Sequence, residues 1–379
     1  MIYFDYNATT PIDEKVRIAM LPFIERHFGN PSSDHEYGRT AKAAVEKARE
    51  QVASLLNAQP DEIYFTGGGS EANNMAIKGA AWRHEGRGKH IITSSIEHPA
   101  VLNVCEWLGQ RGFEITVLPV DPFGLVDPAD LAAAITPQTI LVSIMHANNE
   151  TGTIQPVSKL TALAHAHGAL FHTDAAQSAG KIPTDVNSLG VDFLSIAGHK
   201  LYAPKGIGAL YIRRGVQIES LIHGAGHERG LRAGTENVIF DVALGQACNI
   251  AQEQLGSSTI KDLRDYFWQS LKSKLGDRVI LNGHPDTNKR LPNTLNVSFI
   301  GRAGHEILDE LPNVAASTGS ACHSGEVAIS PVLQAMGIPA DIARGAVRFS
   351  LGRYTLKTEI DTVVDQIVKV MNGSENPSV

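Results

Sequence analysis

Short apolar segments alternate with helical segments between residues 40 and 250. Within residues 43–56, Val45, Val52 and Leu56 recur at helical spacing, which predicts a helix with one apolar face. Seven apolar segments predict strands, at residues 62–66, 91–93, 115–118, 140–144, 169–172, 193–196 and 208–212. Because strands and helices alternate, the pattern predicts an α/β fold with a mainly parallel sheet of seven strands, covered by helices on both faces.

The pattern changes after a helix predicted at residues 238–254. Residues 292–299 and 346–351 then predict strands of a second, smaller α+β domain. We therefore expect a large domain at residues 14–255 and a small domain that joins residues 1–13 to residues 256–379.

Composition narrows the classes of protein that fit the chain. Its 379 residues can form two domains, and a net charge of -7 argues against a nucleic-acid binder. No apolar run is long enough for a membrane span, and the first residues lack the features of a signal peptide. Three cysteines are too few for a disulfide framework, so we expect a reducing compartment, the cytoplasm.

Several polar residues follow the predicted strands directly. In open α/β sheets, ligands bind beyond the carboxyl ends of the strands. Lys200 and Asp174 each lie at such an end, and they are the two groups that pyridoxal phosphate (PLP) needs most. A lysine forms a Schiff base with PLP, and an aspartate keeps its pyridine nitrogen protonated. His98, also after a strand, can stack on a flat cofactor, and the Asn149 amide can hold a cofactor oxygen or a substrate carboxylate.

The turn at residues 67–71 offers a place for a phosphate group. Its glycines, Gly69 among them, let the backbone approach an anion, and the N–H groups of the helix that follows face it. The Ser70 hydroxyl adds a donor. A metal site built from His172, Asp174 and His199 is the competing interpretation, but it leaves Lys200 without a purpose, so we expect no metal.

The three cysteines lie in different surroundings. Cys105 and Cys248 have apolar neighbours and are predicted to be buried, whereas Cys322 lies among small and polar residues beside His323. An exposed thiol with a base nearby is suited to act as a nucleophile. Arg353, after the last predicted strand, offers a planar fork for a carboxylate.

Together these segments resemble the cysteine desulfurases of the NifS/IscS type, within the class V aminotransferase-like PLP enzymes. The resemblance runs from residues 3–10 and 28–33 through Gly198-His199-Lys200 and residues 319–322 to Gly352-Arg353. It covers nearly the whole chain and implies the PLP-dependent transferase fold type I.

The resemblance also implies how PLP is held. Lys200 carries the cofactor, Asp174 pairs with its ring nitrogen, and His98 stacks on the ring. The remaining contacts implied are Gln177 to the ring oxygen, Gly69, Ser70 and His199 to the phosphate, and Thr235 to the phosphate of a neighbouring subunit, hence a homodimer. The family usually has a hydroxyl residue where this chain has Ala197, so one phosphate hydrogen bond, about 1.5–3 kcal/mol for a charged group, is expected to be missing.

The implied reaction converts L-cysteine to L-alanine. Asn149 and Arg353 hold the substrate carboxylate, Lys200 and His98 act in the chemistry, and Cys322 accepts sulfur as a persulfide. The sulfur then passes to an acceptor protein, an iron–sulfur scaffold or a sulfur carrier for thiolation. A selenocysteine lyase on the same scaffold and a non-catalytic protein that binds a sulfur-relay partner are the alternatives.

Overall fold

The computed structural model describes residues 1–318 and 329–373. The strands of these residues, β1 to β12 in chain order, are Ile2–Tyr3, Ile63–Thr66, His90–Ser94, Glu114–Leu118, Thr139–Ser143, Leu170–Asp174, Phe193–Ala197, Gly208–Ile212, Val279–Asn282, Thr294–Phe299, Val314–Ala315 and Ala346–Ser350. The helices, α1 to α13, are Glu14–Glu25, Glu36–Leu56, Gly69–His84, Pro99–Gly109, Pro128–Ala134, Val157–Ala166, Val186–Leu189, Val238–Gln254, Thr259–Leu275, Gly304–Asp309, Pro331–Ala335, Ala340–Ala343 and Lys357–Asn372.

The large sheet has seven strands in the order β2-β8-β7-β6-β5-β3-β4. Strand β8 runs antiparallel to both of its neighbours, and the other pairings are parallel. The prediction of a mainly parallel seven-stranded sheet is confirmed. The parallel order brings the carboxyl ends of β5, β6 and β7 to one edge, where the polar residues that follow them meet.

Helices cover both faces of this sheet because both faces are apolar. Successive side chains of a strand point to opposite faces. Accordingly, Leu194 belongs to a buried cluster with α2, α6 and α8, whereas its neighbour Phe193 belongs to a separate cluster with α3 and α4. Strands β3, β5, β7 and β8 are buried at every position. No helix in the described ranges is long and apolar enough to cross a membrane.

A second core lies around the antiparallel sheet β12-β10-β9. Helices α9 and α13 pack on it, and Phe267 of α9 contacts Phe349 of β12 with ring centroids 5.0 Å apart. Phe4, near the N-terminus, joins the same cluster, 5.6 Å from the Phe267 ring. The predicted strands at 292–299 and 346–351 correspond to β10 and β12, while the domain limits at residues 13 and 255 stay a prediction.

Candidate active site

A cavity of about 400 Å³ opens at the carboxyl edge of the large sheet. It is called the main cavity below. Eight of the residues singled out in the sequence line it: Gly69, Ser70, His98, Asn149, Asp174, Gln177, His199 and Lys200. They come from five separate stretches of sequence, so the fold brings together groups that are scattered along the chain.

Lys200 follows β7 in a tight turn, Gly198–Lys200. Its ammonium donates hydrogen bonds to the main-chain oxygens of Asn7 and Ala8, the latter at 2.8 Å. Burial, and next the nearby Arg348 guanidinium, lower the pKa of Lys200 to about 8. A lysine in this environment gives up its proton more readily than a solvated one, as a nucleophile or base must.

Asp174 ends β6 and is held on both carboxylate oxygens. Its Oδ1 accepts from the main-chain N–H of Ala176 at 2.8 Å, and its Oδ2 accepts from the Asn73 amide at 2.7 Å. Asn73 comes from α3 and is buried, and its own Oδ1 has no hydrogen-bond partner. The sequence analysis did not select Asn73. The signal that could have found it is a polar residue on the apolar, buried face of a helix.

His98 is the N-cap residue of α4, and its Nδ1 accepts from the Ala100 main-chain N–H at 3.1 Å. This contact leaves Nδ1 without a proton. Burial lowers the pKa of His98, which Asp174 raises in part and Lys200 lowers further. The ring therefore favours its neutral form, which suits stacking on a flat ligand.

The first turn of α3 is shaped to receive an anion. Gly68 has φ 147°, a conformation that favours glycine, and a Cβ on Gly69 would lie 3.2 Å from the Ala197 Cβ. The first N–H groups of a helix lack intrahelical partners, and Ser70 adds a hydroxyl beside them. Ala197, where the sequence predicted a missing hydrogen bond, lines the same part of the cavity.

His199 and Gln177 complete the lining near the N-terminal segment. The Nδ1 of His199 lies 3.2 Å from the Thr9 hydroxyl, and burial, with Lys200 next, lowers its pKa to about 4. The imidazole is thus neutral at physiological pH. The Gln177 amide donates to the main-chain oxygen of Asn7 at 3.0 Å.

Two arginines of the second core lie close to Lys200, and only one lines the main cavity. Arg348 of β12 lines it and donates to the Asn149 main-chain oxygen at 3.0 Å and to Asp5 at 2.8 Å. Arg353, the residue predicted for the substrate carboxylate, instead pairs with Asp13 and lies over the Tyr202 ring, 4.0 Å from its centroid.

Arg353 lines a second cavity, of about 260 Å³, which Lys200 also lines. The Nε atoms of both arginines are buried without a partner, so this feature does not distinguish them. The two arginines differ in the cavity that each one lines. Arg353 and Asn149, which the sequence paired for the substrate carboxylate, thus line different cavities here, and the Arg353 guanidinium is turned toward Asp13. The signal for Arg348 was a charged residue within a strand that is otherwise nearly apolar.

None of the remaining candidate residues that the structure describes lines the main cavity. Thr235 is exposed and lies outside the main cavity of its own chain. Cys322 falls in residues 319–328, outside the described residues. Cys105 and Cys248 are buried as predicted, and burial raises the pKa of both thiols, that of Cys105 to about 12.

His172 does not face the cavity. Its ring nitrogens contact the hydroxyls of Ser143 at 2.8 Å and Ser195 at 3.0 Å, between neighbouring strands. Both nitrogens are thus engaged within the sheet. Among residues 1–318 and 329–373, no group of three or more His, Cys, Asp or Glu side chains is placed to hold a metal ion.

These residues fit PLP. The main cavity is lined by a lysine amine, a carboxylate fixed one strand away, an anion cradle at a helix start and a neutral imidazole. The buried Oδ1 of Asn73 also remains without a partner inside the protein. The fold and the site together define a PLP-dependent enzyme of fold type I.

Comparison with known proteins identifies the family. The model of the family "Aminotransferase class-V" matches residues 2–363, and the chain belongs to this family, whose members use PLP. The chain is 49% identical over 374 residues to a cysteine desulfurase IscS from Dictyoglomus turgidum, covering 98% of this chain and 94% of that protein.

Solved structures agree with this assignment. A NifS-like protein, 39% identical, superposes with a TM-score of 0.91 over 98% of this chain and 99% of its own. A structure of SspA in complex with cysteine, also 39% identical, gives a TM-score of 0.82 over 94% of this chain and 100% of its own.

Proposed function

We propose that this chain is a cysteine desulfurase that converts L-cysteine to L-alanine and passes the sulfur to an acceptor protein. The observation that carries the proposal is the convergence of Lys200, Asp174 and Arg348 on one cavity. An amine, a carboxylate and a guanidinium in one pocket match an amino-acid substrate handled through PLP. Relatives that are named cysteine desulfurase and match over nearly the full length specify the substrate.

The chain's own residues hold the cofactor in this proposal. The Asp174 carboxylate keeps a proton on the pyridine nitrogen, and the Gln177 amide donates to the ring oxygen. The His98 imidazole covers the ring. The phosphate is bound by the Ser70 hydroxyl, the His199 ring and the N–H groups that begin α3 at Gly69. When bound, PLP supplies an electron sink for the charge that develops at the substrate α-carbon.

Lys200 is the base in this proposal. Its amine takes the proton from the α-carbon of the substrate and returns a proton later in the reaction. The lowered pKa, about 8, supports this role, because a base works best when its pKa lies near the working pH.

Arg348, rather than Arg353, binds the substrate carboxylate in this proposal. It is buried, with 6% of the residue exposed, and it lines the cavity together with Lys200 and Asn149. A guanidinium can donate two parallel hydrogen bonds to a carboxylate, which fixes the α-carbon relative to the base.

Cys322 accepts the sulfur. Its thiolate attacks the substrate sulfur, a sulfur–sulfur bond forms and the carbon–sulfur bond breaks. The electron pair of the broken bond stays with the substrate β-carbon, which takes a proton to become the methyl group of alanine. The thiol of Cys322 thus becomes a persulfide, and no outside oxidant is consumed. The high pKa values that burial gives Cys105 and Cys248 support Cys322 by contrast.

The assembly and setting of the enzyme belong to the same proposal. We expect a homodimer in which Thr235, exposed in the single chain, contacts the phosphate site of the partner, and we expect it to work in the cytoplasm. An iron–sulfur scaffold or a sulfur carrier is the acceptor class that we propose.

The experiment is a turnover assay with the purified chain. With PLP and a reductant, L-cysteine should yield alanine and sulfide in equal amounts. After brief exposure to L-cysteine without reductant, mass spectrometry should find one added sulfur on the peptide that contains Cys322. Cys322→Ser should still bind PLP but should release almost no alanine. Turnover of L-selenocysteine alone, or added sulfur on Cys105 or Cys248, would contradict the proposal.

A further inference from the structure

Lys181 contacts Gln177, one of the residues that line the main cavity. It lines the second cavity, of about 260 Å³, and not the main one. Its Nζ donates to the Gln177 Oε1 at 3.1 Å and lies 3.5 Å from the Asn7 Oδ1. No role in the proposed reaction is assigned to Lys181, although it touches the side chain that faces the ring oxygen of the cofactor.

The two ends of the Gln177 amide have different partners. When Lys181 is protonated, its ammonium has donors and no acceptor, so only the amide oxygen of Gln177 can face it. The amide nitrogen then donates to the Asn7 main-chain oxygen at 3.0 Å, and Gln177 is buried, with 6% exposed. The second N–H of the same amide remains for a ligand in the main cavity, which Gln177 lines.

The Asn7 main-chain oxygen connects this arrangement to Lys200, because it also accepts a hydrogen bond from the Lys200 ammonium. Asn7 itself is fixed, since its side chain donates to Thr294 at 2.8 Å and accepts from Asn293 at 2.9 Å. A rotation of the Gln177 amide would place its oxygen against this carbonyl. It would therefore disturb the acceptor that Lys200 uses as well.

We propose that Lys181 is a positioning residue: its ammonium orients the Gln177 amide, so that the NH₂ group faces both the Asn7 carbonyl and the ligand in the main cavity. This inference rests on the proposed function, because the ring oxygen of PLP is the acceptor that the oriented amide serves.

Burial makes the charged form of Lys181 unfavourable, so its presence needs a compensating role. Burial, and after it the neighbouring Lys200 and Arg348 charges, lower the pKa of Lys181 to about 7. An apolar side chain of similar length would avoid this cost of burying a charge. What the lysine adds is the pair of contacts with Gln177 and Asn7.

The test is a double-mutant cycle on PLP binding, with Lys181→Met, Gln177→Leu and the double variant. PLP dissociation constants and the absorption maximum of the bound cofactor are measured. Lys181→Met should weaken PLP binding about tenfold, the effect of one misplaced hydrogen bond, and should shift the absorption maximum toward that of Gln177→Leu. In the Gln177→Leu background, Lys181→Met should change the dissociation constant less than about twofold, because the side chain that it orients is gone.

Two further variants separate positioning from general packing. Lys181→Arg should bind PLP within about threefold of wild type, because it keeps a donor and the second cavity has room for a guanidinium. Lys159→Met, at an exposed position on α6, removes a lysine without touching the site and should change nothing. Melting temperatures of the cofactor-free variants show whether folding is affected.

The outcomes are distinct. Additive losses in the cycle, or an Arg variant as weak as the Met variant, would overturn the positioning role, and so would a Met variant that binds like wild type. If Lys181→Met does not fold, Lys181→Ala, which also removes the donor, replaces it in both Gln177 backgrounds and is judged by the same outcomes. Failure of the wild-type chain to bind PLP would contradict the proposed function instead.

Discussion

The two cavities beside Lys200 differ in what converges on them. The main cavity collects groups from several elements, among them the Asp174 carboxylate at the end of β6, the Arg348 guanidinium of β12 and the start of α3. The second cavity also has cations, Lys181 and Arg353, but no carboxylate is among its lining residues in the described part of the chain. A cation near a cavity does not define a site. The convergence of complementary groups at a sheet edge does, because each ligand atom then meets its own partner.

The two arginines show the difference between the cavities most clearly. Both belong to the second core, both lie near Lys200, and both contact an aspartate. Arg348 lies on β12, an edge strand of the three-stranded sheet, and lines the main cavity, whereas Arg353 follows that strand and lies over Tyr202. Although only four residues separate them, the two guanidinium groups line different cavities.

The largest effect is expected for Lys200→Ala. Loss of the amine should remove the visible absorbance of covalently held PLP and lower alanine production by about a thousandfold, the contribution of a catalytic base. Absorbance spectra and amino-acid analysis measure both quantities. Lys205→Ala, at an exposed position nearby, is the matched control and should retain both. Normal turnover by Lys200→Ala would remove the main cavity from the mechanism.

Replacing each arginine by lysine tests the comparison directly. Arg348→Lys should raise the KM for L-cysteine about thirtyfold, because lysine keeps the charge but loses the planar fork that binds a carboxylate. Arg353→Lys should change KM less than about threefold and should lower the melting temperature, because it weakens the pair with Asp13 and the contact with Tyr202. The opposite pattern in steady-state kinetics would return the carboxylate to Arg353.

Lys200, which lines both cavities, should change how the free energy of unfolding depends on pH. Burial lowers the pKa of Lys200 from 10.5 in the unfolded chain to about 8. Between these values the unfolded chain binds more protons than the folded one, so the free energy of unfolding rises with pH; below pH 8 the full cost of burying the charge remains.

Cofactor-free Lys200→Met should therefore be more stable than wild type at pH 7, and the difference should shrink toward pH 10. Urea unfolding of both proteins at the two pH values measures it, with Lys205→Met as the exposed control. A difference that does not change with pH would show that Lys200 is not desolvated in the cofactor-free protein.

The smallest effect is expected at Ala197. Ala197→Ser should tighten PLP binding about tenfold, because the new hydroxyl lies beside the first turn of α3, where the phosphate is proposed to bind. Ala197→Cys adds an atom of similar position with a much weaker donor and should bind like wild type. Equal gains by both variants would assign the effect to packing rather than to a hydrogen bond.

The sequence by itself determined the class of the fold. Apolar strands with interleaved helices can bury both faces only in a covered parallel sheet, so the strands at residues 91–93, 140–144 and 193–196 were found within a residue or two of β3, β5 and β7. The sequence predicted the α2 helix over residues 43–56, but the helix begins earlier, at Glu36. The hydrophobic pattern missed this start because the first two turns carry few apolar residues and depend on the His35 cap. The residues at strand ends, Lys200 and Asp174 among them, followed from the same pattern.

Only the tertiary structure decided which side chains meet. Asn73 reaches Asp174 from a helix 101 residues away in sequence, and the main-chain oxygen of Asn7 accepts from both Gln177 and Lys200. The choice of Arg348 over Arg353 depends on where β12 ends relative to the large sheet, and a local pattern does not contain this information. Contacts between distant segments are set by the packing of two cores against each other, so their partners become visible only when the chain is folded.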